Sequence, residues 1–198
     1  PHYDATGLGR FHKFLCPSEL ALSIPFTATP NYTLPEHLNK RSLSLCAGMR
    51  DEAGNIVFLS ELDEQPDCTV TVKSENADKV EWALLYSGSC FKTCKGIKES
   101  FTLDKDGFLI QSSLIDPQTN EILYAVPVFI TNGKDTARID YTQNKITVKT
   151  GNYQYTVESD GISTAMNGRY DNRNGEYGLV VFQKKGDKIT LRLSLTCG

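Results

Sequence analysis

The sequence has no long hydrophobic segment and no surplus of basic residues. Its longest strongly apolar run, Ile122–Ile130, is nine residues long and contains Pro127, whereas a helix that spans a bilayer needs about 20 apolar residues. The net charge is −3, with 21 Lys and Arg against 24 Asp and Glu, and nucleic-acid-binding domains usually carry a basic face. We therefore expect neither a membrane span nor a nucleic-acid partner.

Motifs of common catalytic and metal sites are also missing. The sequence contains no Gly-x-Ser-x-Gly and no His-Glu-x-x-His motif. Its three histidines, His2, His12 and His37, all lie in a Pro-rich N-terminal segment, which suits the close positioning of catalytic groups poorly. We expect no catalytic residue, no metal site and no cofactor.

Paired carboxylates leave one enzymatic alternative open, because a glycosidase needs only two acids at a suitable separation. The densest acidic run holds Glu61, Asp63, Glu64 and Asp67. A charge run between strands is typical of a solvated loop. A secreted glycan-active enzyme therefore stays as an alternative, and a protein without catalytic activity is preferred.

The cysteines indicate an exported protein. Their number is even, and they extend from near the start to the penultimate residue: Cys16, Cys46, Cys68, Cys90, Cys94 and Cys197. Zinc sites favour Cys-x2-Cys pairs, and this chain has only Cys-x3-Cys, so three disulfides of undetermined pairing are the better hypothesis. Asn31 begins the sequon Asn-Tyr-Thr, a glycosylation signal. Together these features predict a secreted or cell-surface glycoprotein.

Two segments differ in composition and in residue pattern. Residues 1–41 contain Pro17, Pro25, Pro30 and Pro35 and show no sustained strand pattern, so we expect an irregular arm packed on the main domain. Residues 42–198 consist of short alternating runs separated by turn residues, which predicts one disulfide-linked all-β domain.

An octapeptide nearly repeats within this domain. Phe101–Phe108 and Tyr155–Ile162 both read aromatic, Thr, aliphatic, acid, polar, Asp, Gly, apolar, and Asp51–Leu59 is a fainter copy. Asp-Gly between alternating runs is a strong hairpin signal. With four runs in each of three lobes of about 53 residues, the chain resembles β-trefoil proteins. That resemblance implies a three-lobed barrel, and an antiparallel β-sandwich is the alternative.

The third lobe differs most from the others and supplies the predicted contact residues. Residues 151–178 are rich in Gly, Asn and Tyr, a mixture that recognition loops share. We assign Met166–Arg169 and Arg173–Glu176 to tight turns, because each contains Asn-Gly. The predicted ligand-binding residues are Tyr170, Asp171, Arg173 and Tyr177.

The sequence thus favours a secreted, non-catalytic all-β binding protein that recognises a glycan or an extracellular, cell-surface protein. Lectins, adhesins and host-interaction proteins are of this type. A protease inhibitor that acts through a protruding loop is the alternative within binding.

Overall fold

The computed structural model describes residues 45–172 and 175–197. Within these ranges, only the backbone is described for residues 166–167, 170–172, 175 and 197. The predicted arm 1–41, with Cys16 and Asn31, lies outside the described residues, and so does Arg173.

Thirteen strands form two antiparallel sheets in the described part of the chain. The five-stranded sheet has the order β11-β12-β7-β1-β2. Its strands are β1 (Cys46–Arg50), β2 (Ile56–Phe58), β7 (Glu121–Thr131), β11 (Ile162–Asn172) and β12 (Gly175–Lys185). A short 3-10 turn, Leu59–Glu61, follows β2.

The eight-stranded sheet has the order β3-β4-β5-β6-β13-β10-β9-β8. Its strands are β3 (Asp67–Glu75), β4 (Lys79–Ser87), β5 (Gly96–Asp104), β6 (Gly107–Ile115), β8 (Arg138–Tyr141), β9 (Lys145–Thr150), β10 (Tyr153–Ser159) and β13 (Lys188–Cys197).

Alternation along the strands builds the core between the sheets. In β13, Ile189, Leu191 and Leu193 are buried while Arg192 between them is exposed, as the period of two in a strand requires. Three aromatic rings of the eight-stranded sheet stack in the same layer. Phe101 lies 5.1 Å from Trp82 and 5.8 Å from Phe108 between ring centroids.

The prediction of an all-β domain is confirmed. The strands form two antiparallel sheets without a closed barrel in the described part of the chain, which fits the sandwich alternative. The three-lobed barrel is not confirmed. The reason lies in the three octapeptide copies, which do not close equivalent corners.

Two copies of the octapeptide are hairpins, and one is a crossover. Phe101–Phe108 joins β5 to β6, with Asp104 opposite Gly107, and the Asp51–Leu59 copy joins β1 to β2. Tyr155–Ile162 instead carries the chain from β10 in one sheet to β11 in the other. Gly161 at this corner faces the Gln183 carbonyl oxygen, which a Cβ would approach to 2.8 Å. In this copy of the octapeptide, the glycine therefore allows the backbone to pack closely against β12 and does not form a hairpin turn.

The prediction of a turn at Met166–Arg169 is wrong, because these residues lie within β11. The β11–β12 register shifts between Met166 and Tyr170, and Gly168 has a φ of 148°. An Asn-Gly pair can thus mark a bulge as well as a turn. The second predicted turn, Arg173–Glu176, overlaps the end of the β11–β12 hairpin, where Asn172 pairs with Gly175. Residues 173 and 174 lie outside the described residues.

Pro127 lies in the central strand β7, at a position where its missing N–H costs no hydrogen bond to β12. In the described part of the chain, strand β1 pairs with β7 only as far as Ala125. Phe129, two residues on, donates its N–H to the Tyr155 hydroxyl at 3.2 Å. Because N–H groups two residues apart point to the same side of a strand, Pro127 removes no donor from the β12 ladder.

Candidate functional site

A cleft of about 420 Å³ opens at one end of the sandwich, between the β1–β2 hairpin and the loop that joins β4 to β5. We call it the acidic cleft. Its lining residues are Met49, Asp51, Val57, Glu61, Leu62, Asp63, Glu64, Cys90, Lys92 and Thr93.

The floor of the acidic cleft is apolar and joins the core. Met49 is buried, and its Sδ lies 3.5 Å from the Sγ of Cys94. Thr93 fixes the facing wall, because its buried hydroxyl donates to the Arg50 carbonyl oxygen at 2.7 Å. This bond ties the β4–β5 loop to the end of β1, so the two walls of the cleft are held together.

Three of the four carboxylates of the cleft have local partners. Glu61 Oε2 accepts the Phe58 N–H at 3.1 Å and so caps the 3-10 turn. Glu64 Oε2 accepts the Ser89 hydroxyl at 3.1 Å, which connects the two walls. Asp51 accepts the backbone and side-chain N–H groups of Asn55. These bonds fix the position of negative charge around the opening.

The electrostatic balance of the cleft is negative. Four carboxylates face one cation, Lys92, whose ammonium donates to the Ser89 carbonyl oxygen at 2.8 Å. The hydrogen bonds from Asn55 lower the pKa of Asp51 below its ordinary value, so this carboxylate is charged at neutral pH. A positively charged group is therefore the ligand that the rim favours.

A second cluster of polar groups lies in the core, away from solvent. Glu99 in β5 is buried, and burial raises the pKa of its carboxyl to about 7, although the Tyr124 and Tyr86 hydroxyls oppose the rise. Tyr124 is also buried, and its pKa lies well above the ordinary value because of burial and the neighbouring Glu99. This cluster has no opening to solvent, since all three side chains are at most 2% exposed.

The predicted contact residues are only partly described. The backbones of Tyr170 and Asp171 lie near the end of β11, opposite Tyr177 and Glu176. Tyr177 is fully buried, and its ring packs edge-on against Phe129 at 5.6 Å. We therefore remove Tyr177 from the proposed contact residues. Period two explains the difference, because Tyr177 shares its face with the apolar Leu179 and Val181.

The acidic run from Glu61 to Asp67 is more than a solvated loop. Glu61, Asp63 and Glu64 line the cleft, whereas Asp67 begins the exposed edge strand β3. The density of acids in the sequence was a usable signal for these three. Asp51 and Lys92 join them only through the fold, so sequence spacing could not have found them.

The described residues do not show the predicted disulfides, and Cys16 and the Cys197 side chain lie outside what the structure describes. No disulfide joins any pair among Cys46, Cys68, Cys90 and Cys94, and the last three are free thiols. Burial raises the pKa of each of these three thiols. An even number of cysteines does not by itself require disulfides, since buried thiols such as Cys94 also serve as small apolar core residues.

The described residues contain no group of His, Cys, Asp or Glu side chains able to hold a metal ion. They also contain no helix that could cross a membrane.

Comparison with known proteins adds little to this description. No protein-family model matches the sequence, and no curated protein matches it. Among solved structures, the chain is similar to a 4-alpha-glucanotransferase from Thermococcus litoralis, with a TM-score of 0.44 and 13% identity. The match covers 86% of this chain and 31% of the glucanotransferase chain. At this level of similarity, it supports no conclusion about activity.

Proposed function

We propose that this protein is a non-catalytic binding protein and that the acidic cleft contacts its target. The observation that carries the proposal is the combination of an apolar floor with four carboxylates around a cavity of about 420 Å³. Binding sites typically join apolar walls to a few placed polar groups. The cleft has this composition, and its walls are fixed by Thr93 and Glu64.

The chemistry of the cleft favours a protein target that presents a Lys or Arg side chain. Carboxylates bind guanidinium groups through paired, charge-assisted hydrogen bonds, and the aliphatic stem of such a side chain suits the floor of Met49, Val57 and Leu62. None of the described lining residues is aromatic, so the cleft lacks the ring on which a sugar would stack. A glycan target is therefore less well supported than an extracellular protein.

The local bonds of the carboxylates support a non-catalytic role. A general acid requires a raised pKa, whereas hydrogen bonds from Asn55 lower the pKa of Asp51. Glu61 and Glu64 hold the Phe58 N–H and the Ser89 hydroxyl, so both serve to shape the walls. A glycan-active enzyme remains the rival that the binding experiment has to address.

We further propose that the protein is secreted, on the basis of the Asn31 sequon. The free thiols of Cys68, Cys90 and Cys94 provide no support for this location. Expression with a leader sequence tests it. Material recovered from the medium should carry a glycan on Asn31, and export without glycan would leave the sequon without a role.

The binding function is tested with the full chain on a panel of purified extracellular proteins and a glycan array. For a protein target, Asp63→Asn combined with Glu64→Gln should weaken binding at least tenfold, and added salt should weaken it further. The matched control is Glu75→Gln with Asp78→Asn, which neutralises two exposed acids around the far turn of the β3–β4 hairpin. Equal losses in both variants would contradict a role of the cleft. Turnover of a glycan would replace the proposal with the enzymatic alternative.

A further inference from the structure

The five-stranded sheet is buried on both of its faces, although only one face can pack on the other sheet. In its central strand β7, every residue from Ile122 to Phe129 is buried. Continuous burial of this kind is expected for a sheet that is covered on both sides.

Strand registers identify the inner face. Tyr124 interacts with Glu99 of the eight-stranded sheet, so its side chain points between the sheets. Ala47 and Phe182 are the cross-strand partners of Tyr124 and share that face. Met49, two residues after Ala47, contacts Cys94 in the β4–β5 loop, which confirms the assignment.

The outer face is apolar and closely packed. Seven of its side chains are between 0% and 3% exposed: Cys46, Leu123, Ala125, Phe129, Tyr177, Leu179 and Val181. At its margin, the Phe58 ring lies over Gly48, where a Cβ would come within 2.6 Å of the ring. Soluble proteins rarely leave an apolar surface of this extent open to water, and here it is not open.

The described strands do not supply the cover, and the 3-10 turn reaches its margin, where the Cys46 Sγ lies 3.7 Å from the Ser60 hydroxyl. Every described strand outside the five-stranded sheet belongs to the eight-stranded sheet, and the contact of Tyr124 with Glu99 puts that sheet on the inner face. Beyond the described residues, the chain has residues 1–44, 173–174 and 198. The last three residues are too few to bury seven side chains.

We propose that residues 1–44 form a third layer on the outer face of the five-stranded sheet. This segment leads into β1, a strand of that same sheet, so it starts beside the surface it would cover. Its length allows the path, because 44 residues reach about 145 Å when extended at about 3.3 Å each. Five strands spaced about 4.8 Å apart are only about 24 Å wide.

The composition of residues 1–44 suits this role. Its large apolar residues are spread through the segment rather than confined to one run: Leu8, Phe11, Phe14, Leu15, Leu20, Leu22, Ile24, Phe26, Leu34, Leu38 and Leu43. These side chains can cover the face along its whole length, so a second copy of the chain is not needed for the proposed layer.

A cleavable version of the full chain tests this layer. A site for a specific protease is inserted between Arg41 and Ser42, the folded protein is cut, and the products are separated by size without denaturant. We expect the N-terminal fragment to remain with the main domain and to separate only in denaturant. Release of the fragment from a domain that stays folded, monomeric and unable to bind a hydrophobic dye would overturn the proposal.

A cross-link places the cover directly and does not depend on cleavage. A photoreactive benzophenone residue replaces Phe129 on the outer face, and mass spectrometry locates its products. We expect intramolecular links to residues 1–44. The same group at Gln111, which is exposed on β6, should give no such link. Links from position 129 to a second copy, or only to residues after 45, would show that another segment covers this face.

Discussion

At the scale of single residues, Glu99 is an ionisable side chain that is buried in the core. Its side chain points into the core beside Tyr86 and Tyr124, and burial raises its pKa from an ordinary value of 4.5 to about 7. A buried anion without a cationic partner is costly, so the neutral form is favoured in the folded protein. The protonation of Glu99 therefore makes the free energy of unfolding depend on pH.

We predict that this effect destabilises the protein as pH rises from about 4.5 to 7. In this window the folded state keeps a proton on Glu99 that the unfolded chain has lost. The free energy of unfolding therefore has its full value below pH 4.5, falls as pH rises, and reaches its lower value above the pKa of Glu99 in the folded state. A difference of 2.5 units between 7 and 4.5 corresponds to about 3 kcal/mol. Glu99→Gln, which cannot ionise, should lack this loss.

Urea unfolding at a series of pH values measures the effect. The free energy of unfolding of the native protein, minus that of Glu99→Gln, should fall by about 3 kcal/mol between pH 4.5 and 7.5. Glu75→Gln on the exposed strand β3 is the control, and its curve should follow the native curve. Parallel curves for the native protein and Glu99→Gln would contradict the burial of an ionisable carboxyl at this position.

Thiol reactivity gives a second prediction for single residues. Cys68 is exposed, Cys90 is partly exposed in the cleft, and Cys94 is buried. In native protein we expect a thiol reagent to modify Cys68 first, Cys90 more slowly, and Cys94 only after unfolding. Because burial raises the pKa of all three thiols, the reaction should accelerate as pH rises.

Peptide mapping by mass spectrometry identifies the modified cysteines. Denatured, unreduced protein provides the control, since all three thiols should then react. If Cys68 and Cys90 stay unmodified until a reductant is added, the protein contains the disulfides that the sequence alone suggested.

At the scale of elements, Gly107 and Gly54 show separately the effects of a positive φ and of close neighbouring atoms. Gly107 has a φ of 133°, and a Cβ there would collide with the Leu193 carbonyl oxygen of the neighbouring strand β13. Gly54 has a φ of 84° with open space around it. Both positions disfavour other residues, but only Gly107 also excludes a methyl group.

We therefore predict different losses for two alanine substitutions. Gly54→Ala should lower the free energy of unfolding by about 1 kcal/mol, the usual penalty for a positive φ. Gly107→Ala adds a collision with backbone that cannot move without breaking the β6–β13 ladder, so we expect a loss of more than about 3 kcal/mol. Chemical unfolding of both variants checks this. Equal losses would show that the β6–β13 contact yields easily.

The local sequence pattern correctly predicted those strands in which the alternation of apolar and polar residues decides which side chains are buried. Strand β13 and the β5–β6 hairpin follow from residues that are near each other in sequence. The octapeptide at Tyr155–Ile162 could not be distinguished from a hairpin, because the choice between turning back and crossing to the other sheet depends on β12, more than ten residues later. The bulge at Gly168 depends on the same distant strand.

The acidic cleft shows the same limit of sequence reasoning. Glu61, Asp63 and Glu64 are close in sequence and were singled out together, but Asp51 and Lys92 join them through the contact between two loops. Tyr177 was misplaced because a Tyr near Asn and Gly matches a recognition loop in composition. Its place on the outer face follows from strand register, which composition does not contain.

At the scale of the whole molecule, the strands differ in how fully their backbone is paired. Strand β13 lies inside the eight-stranded sheet and pairs with β10 from Tyr153 to Ser159 and with β6 from Phe108 to Ser113. Strand β3 is at the edge with β4 as its neighbour, and Val70 and Val72 are each 61% exposed. An edge strand with exposed apolar residues is weakly held and open to pairing with another chain.

This asymmetry predicts the order in which backbone amides exchange with deuterium. Amides of β13 and β7 should exchange only through global unfolding, while amides of β3 that face away from β4 should exchange fastest among the strands. Hydrogen exchange followed by mass spectrometry at several protein concentrations measures both. At low concentration β3 should be the least protected strand. If its protection equals that of β13 and does not change with dilution, another part of the chain must pair with this edge. Protection that increases with concentration would instead show that β3 pairs with β3 of a second copy.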